Sequence, residues 1–213
     1  MKYRAYIDIE TTGLSRDYAE LTVVGIGLEK GQGCRVVQLL GAGLSDQKLL
    51  AVLRGVDEIY SYNGSRFDLP FIRAKLGVDL RACFEHTDLM YDCWRSSLKG
   101  GLKAVERQLG IDRCLKGIDG FMAVRLWFDY VNNNDRQALA ALLEYNREDV
   151  ANLLVLRRGL SGLLQYAGRS QRGHSRVRLH PRVPREARGH NRRRGQALGQ
   201  PPSNQVTPAD SKG

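Results

Sequence analysis

No phenylalanine, tryptophan or tyrosine follows Tyr166. A packed core is therefore confined to residues 1–166, because large apolar side chains are what offset the entropy of ordering a chain. Five of the six prolines (Pro181, Pro184, Pro201, Pro202 and Pro208) lie beyond that point, with ten arginines and one lysine against only Glu186 and Asp210. Nearly all of the formal net charge of +10 thus belongs to residues 167–213, and the rest of the chain is close to neutral. The composition predicts a folded domain over 1–166 and a disordered Arg/Pro/Gly-rich tail over 167–213. Arginine runs such as Arg192-Arg193-Arg194 suit phosphate contacts with nucleic acid. A solvated extension without a role, or an artefact of the gene model, fits the same composition.

A domain of this length can bury a real core. Met1 to Asp8 holds no long apolar run and no cleavage pattern, so no signal peptide is expected. No stretch approaches the roughly 20 apolar residues of a membrane span, so no membrane partner is expected. Cys34, Cys83, Cys93 and Cys114 form no Cys-x-x-Cys pair and no zinc spacing. Reduced, mostly buried thiols in a cytoplasmic protein are the expectation.

Tyr3 to Glu10 alternates and is rich in Ile and Tyr, which predicts a strand. Leu21 to Leu28 and Cys34 to Leu40 are two more, joined by a turn around Gly31 and Gly33. The three make an antiparallel meander. Ser45 caps a helix to about Arg54, and Glu58 to Tyr62 is a fourth strand. Asp68 is expected to cap the next helix, with Pro70 in its first turn. A short strand runs through Thr87 to Leu89. Helices follow over about Leu102 to Leu109, Gly120 to Tyr130 and Asp135 to Leu156. The last has an apolar face, including Leu139, Leu142, Leu143, Val150, Leu153 and Leu154, to pack on a sheet.

Three separated segments carry the chemistry. They are Asp8-Ile9-Glu10-Thr11-Thr12-Gly13-Leu14, Asn63-Gly64-Ser65-Arg66-Phe67-Asp68 and Tyr145-Asn146-Arg147-Glu148-Asp149. Asp8 and Glu10, two apart on a strand, share one face. Such carboxylates repel unless a cation lies between them. Asp68 can cap its helix, point an oxygen at a metal, or do both. Phe67 can be core or can stack on a base. Tyr145 and Asp149 are one helical turn apart at the edge of the apolar stripe. An acid there must pair or bind metal, and Tyr145 is either core or functional. Two-metal phosphodiester cleavage needs about four acidic ligands and a group that orients water. Before the tail, His86 is the lone histidine, which leaves no His-rich zinc site, and a Ser-His-Asp or Cys-His mechanism would have to use it. No phosphate-binding glycine loop is present.

Asp8-Ile9-Glu10-Thr11-Thr12-Gly13, Asn63 with Phe67-Asp68, and Tyr145-x-x-x-Asp149 together resemble the motifs of the ribonuclease H-like 3′–5′ exonucleases, the DEDD or DnaQ-like group. Position 144 is Glu, and the tyrosine position is filled, so the chain looks like the tyrosine subtype. Leu98 to Glu106 and Leu143 to Val150 look like the YprB-type ribonuclease H-like domain. The resemblance covers about residues 1–160. It implies an α/β fold, a mixed sheet of about five strands, an antiparallel meander plus parallel strands, flanked by helices. It implies two Mg²⁺ or Mn²⁺ ions held by Asp8, Glu10, Asp68 and Asp149, with Tyr145 orienting water. Thr12, Leu14, Asn63 and Phe67 would lie near the terminal nucleotide. The implied activity is hydrolysis at single-stranded ends of DNA or RNA. A nucleic-acid-binding module with little catalysis and a structure-directed endonuclease are the alternatives.

Overall fold

The structure is a computed structural model that describes residues 2–115 and 117–173. Five strands, β1 (Arg4–Thr11), β2 (Leu21–Lys30), β3 (Gly33–Leu40), β4 (Glu58–Ser61) and β5 (Glu85–Asp88), form one mixed sheet in the order β3-β2-β1-β4-β5. β1, β2 and β3 make the expected antiparallel meander, in the register Ile7 to Ile26 and Ile26 to Val37. β4 and β5 extend the sheet in parallel with β1, pairing Ala5 with Ile59 and Ile59 with His86. The helices are α1 (Asp46–Val52), α2 (Asp68–Leu76), α3 (Leu80–Cys83), α4 (Leu89–Arg95), α5 (Leu102–Leu109), α6 (Gly120–Asn133) and α7 (Arg136–Gly173). Among the described residues, no helix is long and apolar enough to cross a membrane.

β1 is central, and its side chains alternate between two cores. Ala5, Ile7 and Ile9 pack with Leu49 of α1 and Leu53 just after it, Phe71 and Ile72 of α2, and Leu80 of α3. Tyr6 points to the opposite face, among Val105 of α5 and Val150, Leu153 and Leu156 of α7. Asp8 and Glu10 follow Tyr6 by two and four residues, so the strand period delivers both to the α7 side. Their face was settled when Ile7 and Ile9 were buried on the other.

α7 lies very close to β2 because β2 presents Gly25 and Gly27 to it. A Cβ on Gly25 would stand 2.2 Å from Asn146 Oδ1, and one on Gly27 would stand 2.7 Å from Val150 Cγ1. Further along α7, Arg157 donates to Glu29 of β2 at 3.0 Å and to the Tyr6 hydroxyl at 2.6 Å. Arg158 donates to Glu29 and to the Gly31 carbonyl.

Several local expectations change. α3 and α4 are too short to show helical periodicity in sequence. They are started by local caps, Asp79 accepting from the Arg81 amide and Asp88 from the Met90 amide. Asp68 is not the cap of α2. Phe67 holds that position with no side-chain cap, and Asp68 is the first helical residue. The cause lies in β1, which pairs with β4 only through Tyr6. Beyond that point the amides on its β4 edge need other acceptors, and Asp68 Oδ1 accepts from the Ile9 amide at 3.1 Å. The thiols are free, as expected, but not mostly buried. Cys93 is buried and Cys34 half-buried, whereas Cys83 and Cys114, on a short helix end and in a loop, are exposed. α7 runs past Leu156 and past the expected boundary at 166. Apart from 167–173, the expected tail lies outside the described residues.

Candidate active site

Asp8 and Glu10 on β1 and Asp149 on α7 each place a carboxylate oxygen within 4.8 Å of the others'. Asp68, at the start of α2, is buried beside them. A cavity of about 560 Å³ opens over this cluster. Asp8, Glu10, Thr12, Leu14, Asn63, Phe67, Asp68, Tyr145 and Asp149 all border it. Residues spread over 142 positions of chain are thus brought to one wall-to-wall space by the sheet and α7.

Burial is the main force on the acids, since it disfavours the charged form. It pushes the Asp8 and Glu10 carboxyls well above the carboxylate range, and the charges of Asp149 and Asp68 add to this. Asp68 is pushed up to about 7, chiefly by burial, with its hydrogen bond from the Ile9 amide acting the other way. Asp149 is also raised by burial, although the Arg113 guanidinium opposes the shift. Glu10 Oε1 is buried and has no hydrogen-bond partner. An unpartnered buried carboxylate oxygen is costly, and a divalent cation among these acids would supply what it lacks. The donor set is oxygen throughout, which suits Mg²⁺ or Mn²⁺ rather than zinc.

A pH dependence follows. An acid with a raised native pKa stays protonated in the folded state while the unfolded chain ionises, so its contribution to stability falls as pH rises. For this cluster the window runs from the ordinary carboxylate value, about 4, to the folded value, which for Asp68 is about 7. The metal-free protein is expected to lose melting temperature across that window by more than an Asp68→Asn variant does. Thermal melts in EDTA at several pH values check this; parallel curves for the two proteins would contradict it.

Tyr145 serves two environments. Its ring packs with Val23, Ala123 and Leu142, while its edge borders the cavity. Burial and the charge of Asp149 hold the phenol well above its ordinary value, so it remains a proton donor. Lys103 Nζ lies 4.4 Å from the ring centroid.

The residues expected near a nucleotide are held by distinct local devices. The Thr12 hydroxyl accepts from the Glu20 amide at 2.8 Å and so closes the loop after β1. Leu14, on that loop, is 88% exposed. Asn63 takes a left-handed conformation, φ 60°, and its amide donates to Asp88. Phe67 is partly buried, with its ring 5.5 Å from that of Phe71. It is therefore both a core residue and a cavity wall.

Other contributors lie outside the expected set. Asn146 is fully buried; its Nδ2 donates to Asp8 Oδ2 at 3.0 Å and its Oδ1 accepts from Gln38 at 2.9 Å. Its place on the inward face of the last helix was the available signal. Asp88 gathers the amides of Asn63 and Ser65, which shapes the loop before α2. Phe121 of α6 is 83% exposed yet borders the cavity. Arg113 and Glu106 form a buried ion pair that reaches Asp149. Glu106 could have been noticed as an acid on the apolar side of a helix, but nothing around Arg113 marked it. His86 does meet a serine, with Ser61 Oγ 2.8 Å from Nε2. Ser61 is fully buried and cannot reach a substrate, so this pair is structural.

A family model described as RNase_H superfamily matches residues 5–161. No curated protein sequence gives a significant match. Among solved structures, NrnC of Brucella melitensis bound to pGG is similar, with 23% identity and a TM-score of 0.56 over 79% of this chain and 76% of that one. The same NrnC with bound Mg²⁺ has 24% identity and a TM-score of 0.53, covering 79% and 77%. The family B DNA polymerase of the hyperthermophilic archaeon Pyrobaculum calidifontis has 20% identity and a TM-score of 0.57, over 78% of this chain but 25% of the polymerase. At these identities the likeness is one of fold.

Proposed function

The chain belongs to the RNase H superfamily, and from that premise we propose that it is a 3′–5′ exonuclease of the tyrosine subtype, close to the YprB-type domain. It hydrolyses phosphodiester bonds at single-stranded nucleic-acid ends with two divalent ions. The observation that carries this reading is the buried, unpartnered Glu10 Oε1 among carboxylates that converge within 4.8 Å. Nothing in a binding module would gain from acids placed against phosphates.

Asp8, Glu10, Asp68 and Asp149 would hold the ions, which would lower the pKa of a bound water and stabilise the leaving oxygen. The chain's own groups do the rest. Tyr145 keeps its proton, and its hydroxyl, beside Asp149, orients the attacking water. Leu14 and Phe121, both exposed at the rim, offer apolar surface to the terminal base. Phe67 supports the base from the inner wall. Asn63 contributes its polar side chain at the mouth of the cavity. NrnC has been solved with Mg²⁺ and with pGG, and both ligand classes suit a cavity of this size and charge.

Incubating end-labelled single-stranded DNA and RNA with Mg²⁺, Mn²⁺ or EDTA, then sizing products over time, tests the reading. Stepwise shortening from the 3′ end with either ion supports it. Cleavage of circular substrate points to an endonuclease instead, and tight binding with no cleavage points to a binding module. Tyr145→Phe is expected to slow hydrolysis while Mn²⁺ binding and melting temperature stay near wild type. An unchanged rate for that variant would reduce Tyr145 to a core residue.

A further inference from the structure

Arg113 sits between α5 and α6 with its side chain 11% exposed, against Glu106 at 1% and Asp149 at 8%. Its Nε and Nη2 fork onto both oxygens of Glu106, and Nη2 also donates to Asp149 Oδ1. Glu106 is fixed from a second direction by Asn152 Nδ2 at 3.0 Å, three residues beyond Asp149 on α7. The loop carrying Arg113 is itself tied to α7, since Glu148 accepts from the amides of Cys114 and Leu115. Asp149 is therefore gripped at one oxygen by a guanidinium that two helices hold in place.

A bare arginine there would convert Asp149 into half of a neutral pair and weaken its pull on a cation. Glu106 changes the balance. One arginine among three carboxylates, Glu106, Asp149 and at 3.8 Å Glu148, leaves a net negative charge, and the bidentate fork is directed to Glu106. We propose that Arg113 is a positioning residue that fixes the Asp149 carboxylate in a metal-ready orientation, with Glu106 neutralising the guanidinium so that Asp149 keeps its charge for the ion. This rests on the metal-binding reading above. It adds a layer behind the ligands, where a partner typically changes metal affinity or activity 10–100-fold (about, by analogy with other outer-layer groups). Lysine would not reproduce it, because a point charge lacks the planar fork.

The test is Mn²⁺ binding to the full chain by calorimetry or electron paramagnetic resonance, with melting temperatures in EDTA, for wild type, Arg113→Lys and Glu106→Gln. The expected result is folded variants that bind Mn²⁺ about 10–100-fold more weakly than wild type. Variants that melt lower but bind Mn²⁺ as wild type does would overturn the proposal and leave the network as a tie between α7 and the loop. If Arg113→Lys fails to fold, Glu106→Gln decides on the same criterion. Failure of both to fold assigns the network to stability and also overturns it. Absence of Mn²⁺ binding by the wild type is a different outcome: it removes the metal reading itself, and this inference with it.

Discussion

Asp8→Asn and Asp149→Ala are each expected to lower the rate of phosphodiester hydrolysis by at least about 10²-fold, the scale seen when one preorganised electrostatic contact to a transition state is lost. That is about 2.7 kcal/mol of barrier. The two variants should differ in stability. Asp8 lies among like charges, and burial pushes it towards the neutral form. Its Oδ2 accepts from Asn146, and an asparagine keeps an acceptor there while removing the repulsion. Asp8→Asn should therefore melt higher than wild type in EDTA near neutral pH. Asp149 is also tied to Arg113, so Asp149→Ala gives up that ion pair along with the repulsion, while Glu106 still holds the guanidinium, and it should melt below Asp8→Asn. Added Mg²⁺ should stabilise wild type and do little for either variant. Full activity of the wild type in EDTA, or wild-type rates for both variants, would sink the two-metal reading.

Gly25→Ala is expected to disable the enzyme without touching an acid. The new Cβ would stand 2.2 Å from Asn146 Oδ1 and 2.8 Å from Val150 Cγ2, closer than real contacts allow. Asn146 cannot swing away cheaply, because it is fully buried and bonded to Asp8 and Gln38. Nor can α7 shift freely, with Arg157 and Arg158 anchoring it to Glu29. The strain is expected to cost about 1–3 kcal/mol of stability, as for other overpacked cores. Whatever relief the structure finds moves Asp149 and Tyr145 relative to Asp8 and Glu10. A displacement of about 1 Å at such a site can cost about 10²-fold in rate. Melting temperature and single-turnover rate of Gly25→Ala check this, with Gly33→Ala as control, since no atom lies within 4 Å of a Cβ built there. A Gly25→Ala protein as stable and as fast as wild type would show that α7 is not locked to β2 at this point.

Much of the architecture is legible in the chain because it is written in local periodicities. Alternation in Tyr3 to Glu10 identifies β1 and puts Asp8 and Glu10 on one face. The apolar stripe through Leu142, Val150 and Leu153 identifies α7 and places Tyr145 and Asp149 at its edge. Ser45 marks the start of α1 as a cap, accepting from the Lys48 amide. Where spacing is short and side chains bond within a turn, the sequence carries the information directly.

The rest depends on contacts that no window of sequence contains. Asp68 forgoes its capping role because an amide 59 positions away, that of Ile9, has no partner on β4. Asp88 starts α4, but it is also held by the amides of Asn63 and Ser65, 25 and 23 positions away. Asn146 supports Asp8 from 138 positions away, and only the missing side chain of Gly25 makes room for it. Arg113 meets Asp149 across 36 residues through a loop with no periodic signal. The acids proposed to bear the chemistry were offered by the sequence itself, since residue type and strand or helix period suffice to put Asp8 with Glu10 and Tyr145 with Asp149. Their orientation and charge balance were decided by the tertiary structure alone, because a buried charge is set by every group that burial brings against it.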